Sequence, residues 1–206
     1  MTWAIKEINM FSFLKNKKSN EDKDTLSVLP HISKLPETTF LANGREYWLG
    51  MSVSESGLMF RNSEDANKIM EPNGKMSFPS CGVVDSEDCW FEIGLINRGI
   101  KPLPYKDCEI CSFLISTDDF ETGLVFFNGV TQSSLPHEFL SAFEESSFEL
   151  EPEEDDIGED FEEEEKCFTC TYTGSNQKIS FEFFEDDDEA KDGICDILGI
   201  IKIECF

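Results

Sequence analysis

Three Asn-Gly dipeptides, Asn43-Gly44, Asn73-Gly74 and Asn128-Gly129, each stand between apolar or aromatic runs. Both residue types tolerate the positive φ that a tight hairpin turn requires, so the chain is punctuated for β structure from Asn43 onward. The strongest strand runs are Cys89 to Ile96 and Cys108 to Ile115, rich in β-branched and aromatic residues. Asn97-Arg98-Gly99 and the prolines Pro102 and Pro104 separate them, which predicts an antiparallel pair. Leu135, Phe139, Leu140 and Phe143 follow at helical spacing behind Ser133 and Ser134, predicting an amphipathic helix of about ten residues with a serine cap. Further strands are expected at Cys167–Thr173, Ile179–Phe184 and Ile194–Glu204. The expected fold is α+β, mostly antiparallel sheet with one or two helices, either one domain or two halves meeting near residues 118–124.

Charge divides the chain unevenly. Residues 1–34 carry +2 and read as a flexible basic lead-in, whose removal up to residue 33 is expected to leave stability nearly unchanged. Residues 35–120 read as a β-rich unit, and 121–206 as an α+β unit with an acidic loop over 144–165, where 14 of 22 residues are Asp or Glu. The last 72 residues alone hold −20 of a net −26. Such a field repels phosphate backbones and anionic lipid, which disfavours a nucleic-acid or membrane-surface reader and favours a basic protein as partner. The 19 Phe supply enough burial for a true core beside that charge.

No window approaches the roughly 20 apolar residues of a membrane span. At the N-terminus the apolar residues Phe11, Phe13 and Leu14 precede Lys15, Lys17 and Lys18, the reverse of a secretory signal. Lys6-Glu7-Ile8-Asn9 is encodable as a ribosome-binding sequence just upstream of Met10, which points to a bacterial gene translated from Met10. A cytoplasmic place follows as the expectation, with the eight cysteines reduced and acting mainly as small buried hydrophobes.

Candidate chemistry is sparse. Cys108-Glu-Ile-Cys111 and Cys167-Phe-Thr-Cys170 have zinc-like spacing, but Glu-Ile and Phe-Thr are strand formers, and residues three apart in a strand face opposite ways. Zinc on Cys108, Cys111, Cys167 and Cys170 is therefore the alternative, and no cofactor is expected. The run Glu185 to Glu189 with Asp192-Gly193 does not fit a calcium-loop spacing and reads as a charged hairpin turn. His31 and His137 stand apart from any triad-like arrangement, no phosphate-cradling glycine motif occurs, and no catalytic residue is assigned. Trp48 and Trp90 lie in strand-like runs and are expected in the core.

The stretches Thr39–Leu49, Cys89–Asn97 and Tyr105–Ile110, followed by Phe127–Thr131 through Phe143, resemble a domain of uncharacterised envelope lipoproteins of Firmicutes. The strands Ile179–Phe184 and Ile194–Ile203 resemble those of small α+β modules similar to β-lactamase-inhibitor-protein-like domains. The resemblance covers residues 37–206 and implies protein binding. The chain departs from it in its N-terminal residues, which do not read as a lipoprotein signal, and in the long acidic insertion after the helix.

The expected function is a non-catalytic acidic module that binds a basic partner, as immunity and inhibitor proteins do. Its expected contacts are Glu153, Glu154, Asp155, Asp156, Glu162 and Glu163, with Phe148 and Phe161 as apolar anchors. The alternatives are a nucleic-acid mimic, a structural protein, a zinc protein using Cys108, Cys111, Cys167 and Cys170, and a chain whose acids serve only solubility.

Overall fold

Alternation of buried and exposed positions shapes the long strands, and burial of one face of each assembles them. The computed structural model describes residues 29–83, 90–117, 120, 123–143, 147–150, 166–184 and 197–206. In chain order the strands are β1 (Phe40–Ala42), β2 (Arg45–Tyr47), β3 (Leu58–Phe60), β4 (Ile69–Met70), β5 (Lys75–Val83), β6 (Trp90–Ile96) and β7 (Leu103–Pro104). They continue with β8 (Glu109–Ser116), β9 (Leu124–Val125), β10 (Ser147–Leu150), β11 (Lys166–Thr173), β12 (Gln177–Phe184) and β13 (Ile197–Cys205). Two α-helices accompany them, α1 (Val53–Ser56) and α2 (Pro136–Ala142).

Eight strands form one antiparallel sheet in the order β10-β11-β12-β13-β8-β6-β5-β3. The sheet draws on both halves of the chain, and β13 meets β8 through the register Ile200–Ser116 to Glu204–Ser112. The fold is thus α+β and mostly antiparallel. Phe91, Ile93, Phe113, Ile115, Ile179, Phe181, Phe183, Ile201 and Ile203 are all buried on one sheet face. Covering that face are Phe40 and Tyr47 from a small sheet ordered β2-β1-β9, then Phe120 and Phe126, and α2 with Phe139 and Phe143. Ring centroids lie 4.5 Å apart for Phe139–Phe181, 5.2 Å for Phe40–Phe113 and 5.3 Å for Phe91–Phe120, within the favourable range for edge and offset contacts. The opposite face of the sheet exposes Glu92, Leu114 and Lys202.

The Asn-Gly signals act as turns. Asn43 and Gly44 take φ of 51° and 79° between β1 and β2, and Asn128 and Gly129 take 57° and 79° where the amide of Phe126 donates to the Val130 carbonyl. Asn73 has φ of 59°, but its turn joins strands of different sheets and makes no hairpin. The expected β6–β8 pair is present, with Ile93 opposite Phe113.

Three expectations are corrected. Helix α2 has seven residues and no serine cap: the Glu138 carboxylate accepts from the Leu135 amide at 2.7 Å, while the Ser134 hydroxyl accepts from the Thr131 amide. The segment 144–165 is not loop throughout, because Ser147–Leu150 pairs with β11, Leu150 opposite Phe168.

The last residues of the lead-in are packed rather than free. Ile32 is buried in the core, Gln177 Nε2 donates to the Ser33 carbonyl at 2.6 Å, and Arg98 Nη1 donates to the Pro30 carbonyl at 3.0 Å. Gly50, at φ of 95°, passes so close beneath that a Cβ there would stand 2.6 Å from the Ile32 carbonyl oxygen. Deleting residues 1–33 therefore lowers stability by about 3 kcal/mol, from the lost isoleucine and two hydrogen bonds. In a thermal melt that is a fall of about 6 to 12 °C; an unchanged melting temperature contradicts the packing.

Candidate functional site

The register of the large sheet gathers the acidic connections at one end. Lys166 pairs with Phe184, Phe184 with Ile197, Ile200 with Ser116, and Gly82 with Trp90. Leu150 opposes Phe168 beside them. These strand ends bound the segments 84–89, 151–165 and 185–196, and 118–122 follows β8 there and leads to β9 of the small sheet; together the four hold 24 of the 43 acids against one basic residue, Lys191. Their net charge is −23 out of −26. The Thr117 hydroxyl ties this end together by donating to the Leu198 carbonyl at 2.5 Å, across the β8–β13 seam. The other end of the sheet carries Lys75 and Arg98 together with Glu109 and Glu204.

Of the residues expected at the contact face, Glu153, Glu154, Asp155, Asp156, Phe161, Glu162 and Glu163 lie outside the described residues. Phe148 falls on β10, opposite Cys170. The four CxxC cysteines are distributed over two distant strands. Cys108 ends the 3-10 turn Tyr105–Asp107 and Cys111 lies on β8, whereas Cys167 and Cys170 lie on β11, with β12 and β13 between. Three inter-strand steps amount to about 14 Å, too far for one ion about 2.3 Å from each sulfur. Among the described residues no three His, Cys, Asp or Glu side chains gather as a metal site. Cys108 and Cys111 are both fully buried, and the strand alternation expected to turn one of them away does not span the two. The physical reason is local: β8 begins only at Glu109, and Cys111 is the extra residue of a bulge between Gly94–Ser112 and Leu95–Ile110.

The chemically distinct feature is at the end opposite the acids. One step beyond the last registered pair, Glu204–Ser112, Cys205 falls opposite Cys111, and the two thiols interact. Arg98 Nη2 donates to the Cys205 sulfur, at 3.5 Å. Arg98 is held in turn by the Pro30 carbonyl and by Glu109, with Nε to Oε2 at 3.6 Å, and Glu109 also binds His31 Nδ1. The result is a chain of contacts from exposed His31 through Glu109 and Arg98 to the two thiols. The hydrogen bond with Cys111, aided by the Arg98 and Lys75 charges, holds the Cys205 thiol below the ordinary value and outweighs its desolvation. Cys111 moves the opposite way, through that same hydrogen bond and burial. Burial pushes Cys81 to about 12 and Cys108 to about 11.

Nothing in the spacing of the sequence joins position 111 to 205. Only the pairing of β8 with β13 does so, while the CxxC spacing draws attention to Cys108 instead.

Among the five cysteines whose burial is described, Cys81, Cys108, Cys111, Cys170 and Cys205, Cys205 is expected to alkylate first near neutral pH, because it combines a lowered thiol pKa with the largest exposure, 8%. Peptide mapping after iodoacetamide treatment should give a Cys205 rate that reaches its plateau below pH 9.0, the ordinary thiol value. Cys81 and Cys108 should react only in more alkaline solution. A Cys205 midpoint at or above that ordinary value contradicts the geometry.

Elsewhere an open cleft of about 460 Å³ is bounded by Pro36, Phe40, Leu41 and Val125 and crossed by the Lys34–Glu46 ion pair, 2.6 Å long. Trp48 and Trp90 are half-buried with a cation over each ring: Lys34 Nζ at 4.3 Å and the Arg61 guanidinium at 5.4 Å. Among the described residues no helix is long and apolar enough to cross a membrane.

No protein-family model, curated protein or solved structure matches the chain. What the fold itself defines is an α+β protein whose large antiparallel sheet, among the described residues, bears the paired thiols at the end opposite the strand ends that bound the acidic connections.

Proposed function

We propose that the protein is a non-catalytic binding module, an immunity or inhibitor protein of the cytoplasm, that captures a basic protein through its acidic end. The observation that carries this reading is the segregation of charge: −23 of the net −26 belongs to four segments that each begin where a strand of the large sheet ends on the same side. Charge massed on one end of a rigid sheet creates a directed field, which accelerates encounter with a basic surface and selects its orientation. Acids scattered for solubility alone need no such gathering. Within the field, Glu153, Glu154, Asp155, Asp156, Glu162 and Glu163 form the charged contact and Phe148 and Phe161 the apolar anchors, since a few desolvated aromatics commonly supply most of the affinity.

The test is capture from cells of the source organism with the immobilised chain, eluted by a salt step. In parallel runs a variant carries Gln or Asn at those six acidic positions. A single basic protein retained by the native chain, released by salt and absent from the variant, is the expected result. A partner retained equally by both, or one that is itself acidic, overturns the reading.

A further inference from the structure

The paired thiols carry an inference that the binding reading does not use. We propose that Cys205 and Cys111 form a peroxide-sensitive dithiol, in which Cys205 is the attacking sulfur, Cys111 the resolving one, and a small hydroperoxide the substrate. Opposed residues of neighbouring antiparallel strands have Cα atoms about 4.5 to 5.5 Å apart, inside the span a disulfide bridges. Cys205 continues the buried series Ile201, Ile203, and Cys111, the extra residue of the β8 bulge, is fully buried beside it and interacts with its sulfur. Arg98 lies against the Cys205 sulfur and is itself fixed by Pro30 and Glu109, so the positive charge that favours the thiolate is held in place. Cys111 is fully buried and Cys205 is not, which leaves Cys205 as the sulfur that an oxidant meets. The following residue, Phe206, is exposed.

The chemistry balances with one hydroperoxide. The Cys205 thiolate attacks the distal oxygen; a sulfur–oxygen bond forms, the oxygen–oxygen bond breaks, and the departing alkoxide or hydroxide takes a proton from solvent. Cys205 is then a sulfenic acid. The Cys111 sulfur attacks it, forming the disulfide; the sulfur–oxygen bond breaks, and hydroxide leaves with the Cys111 proton as water. The peroxide is reduced by two electrons and the two thiols are oxidised. The new bond would fasten β8 to β13, the seam at which the two halves of the large sheet meet.

The direct test treats the full-length native protein with a small excess of hydrogen peroxide and follows intact mass and peptide maps. The expected product has lost two hydrogens, contains a Cys111–Cys205 crosslink and returns to the starting mass with dithiothreitol. In Cys111→Ser the reaction should stop at one added oxygen, trapped by dimedone on Cys205. Arg98→Met, which keeps much of the bulk and removes the charge, should slow peroxide consumption by about tenfold while leaving the crosslink site unchanged. Arg98 is a positioning residue here, and a rate effect without a change of site separates that role from a purely structural one. Oxidation appearing first on another cysteine, or a Cys205 sulfenic acid that persists in the native protein without the crosslink, overturns the proposal. The native-protein map alone decides it, whether or not the variants fold.

Discussion

Replacing the eleven acids of residues 151–165 and the seven of 185–196 by their amides should slow association with the captured basic partner by about 10- to 1000-fold at low salt. The reasoning is Coulombic. These two segments and Lys191 account for −17 of the net charge, and their bounding strand ends, Leu150, Lys166, Phe184 and Ile197, stand in adjacent strands. A partner approaching that end feels the summed field over a distance of about one Debye length, roughly 10 Å at 0.1 M salt and 3 Å at 1 M. The native chain should therefore lose most of its rate advantage as salt rises, and the amide variant should be nearly salt-independent. Stability should move the other way. Removing like charges relieves self-repulsion, so the variant should melt at the same temperature or higher. Slowed association together with a lowered melting temperature would attribute the loss to unfolding and contradict this explanation.

Phe181→Ala should cost about 3 to 5 kcal/mol, a large part of the 5 to 15 kcal/mol that a domain of this kind has in total. Phe181 is fully buried on β12, and its ring sits 4.5 Å from Phe139, 5.2 Å from Phe126 and 5.4 Å from Phe143. It joins the sheet to α2 and to the segment after β9, and truncation leaves a cavity that three other rings, each held by its own neighbours, fill only in part. The measurement is a denaturant or thermal melt, with a drop of about 6 to 20 °C in the latter. Leu114→Ala provides the contrast. Leu114 belongs to the neighbouring row of the same sheet but faces outward, 37% exposed, and its truncation should change stability by no more than about 0.5 kcal/mol. Comparable losses at both positions would contradict the one-sided core.

Much of this core was legible in the sequence. Alternating Ile179, Phe181 and Phe183 marks a strand with one buried face, and Asn43-Gly44 marks the turn that its positive φ values confirm. Local signals failed where neighbours distant in sequence decide the outcome. Ser147–Leu150 is short and lies in an acidic stretch, and it becomes a strand because β11 offers it a free edge. Ile32 follows a run of lysines, yet it finds its place beside Gly50, where only glycine permits so close a pass. The candidate sites divide in the same way. The acidic bias was plain from composition, but its collection at one end depends on register. The Cys111–Cys205 pair was invisible, since 93 intervening residues and the order of eight strands separate the two positions until β13 docks on β8.

Amide hydrogen exchange of the complex tests most directly which end of the sheet meets the partner. Binding through the acidic end predicts slowed exchange at the strand ends around Leu150, Lys166, Phe184 and Ile197, with unchanged rates at Arg98, Ser112 and Cys205. Protection centred on the Arg98 and Cys205 end, or on the exposed face around Glu92, Leu114 and Lys202, would contradict it.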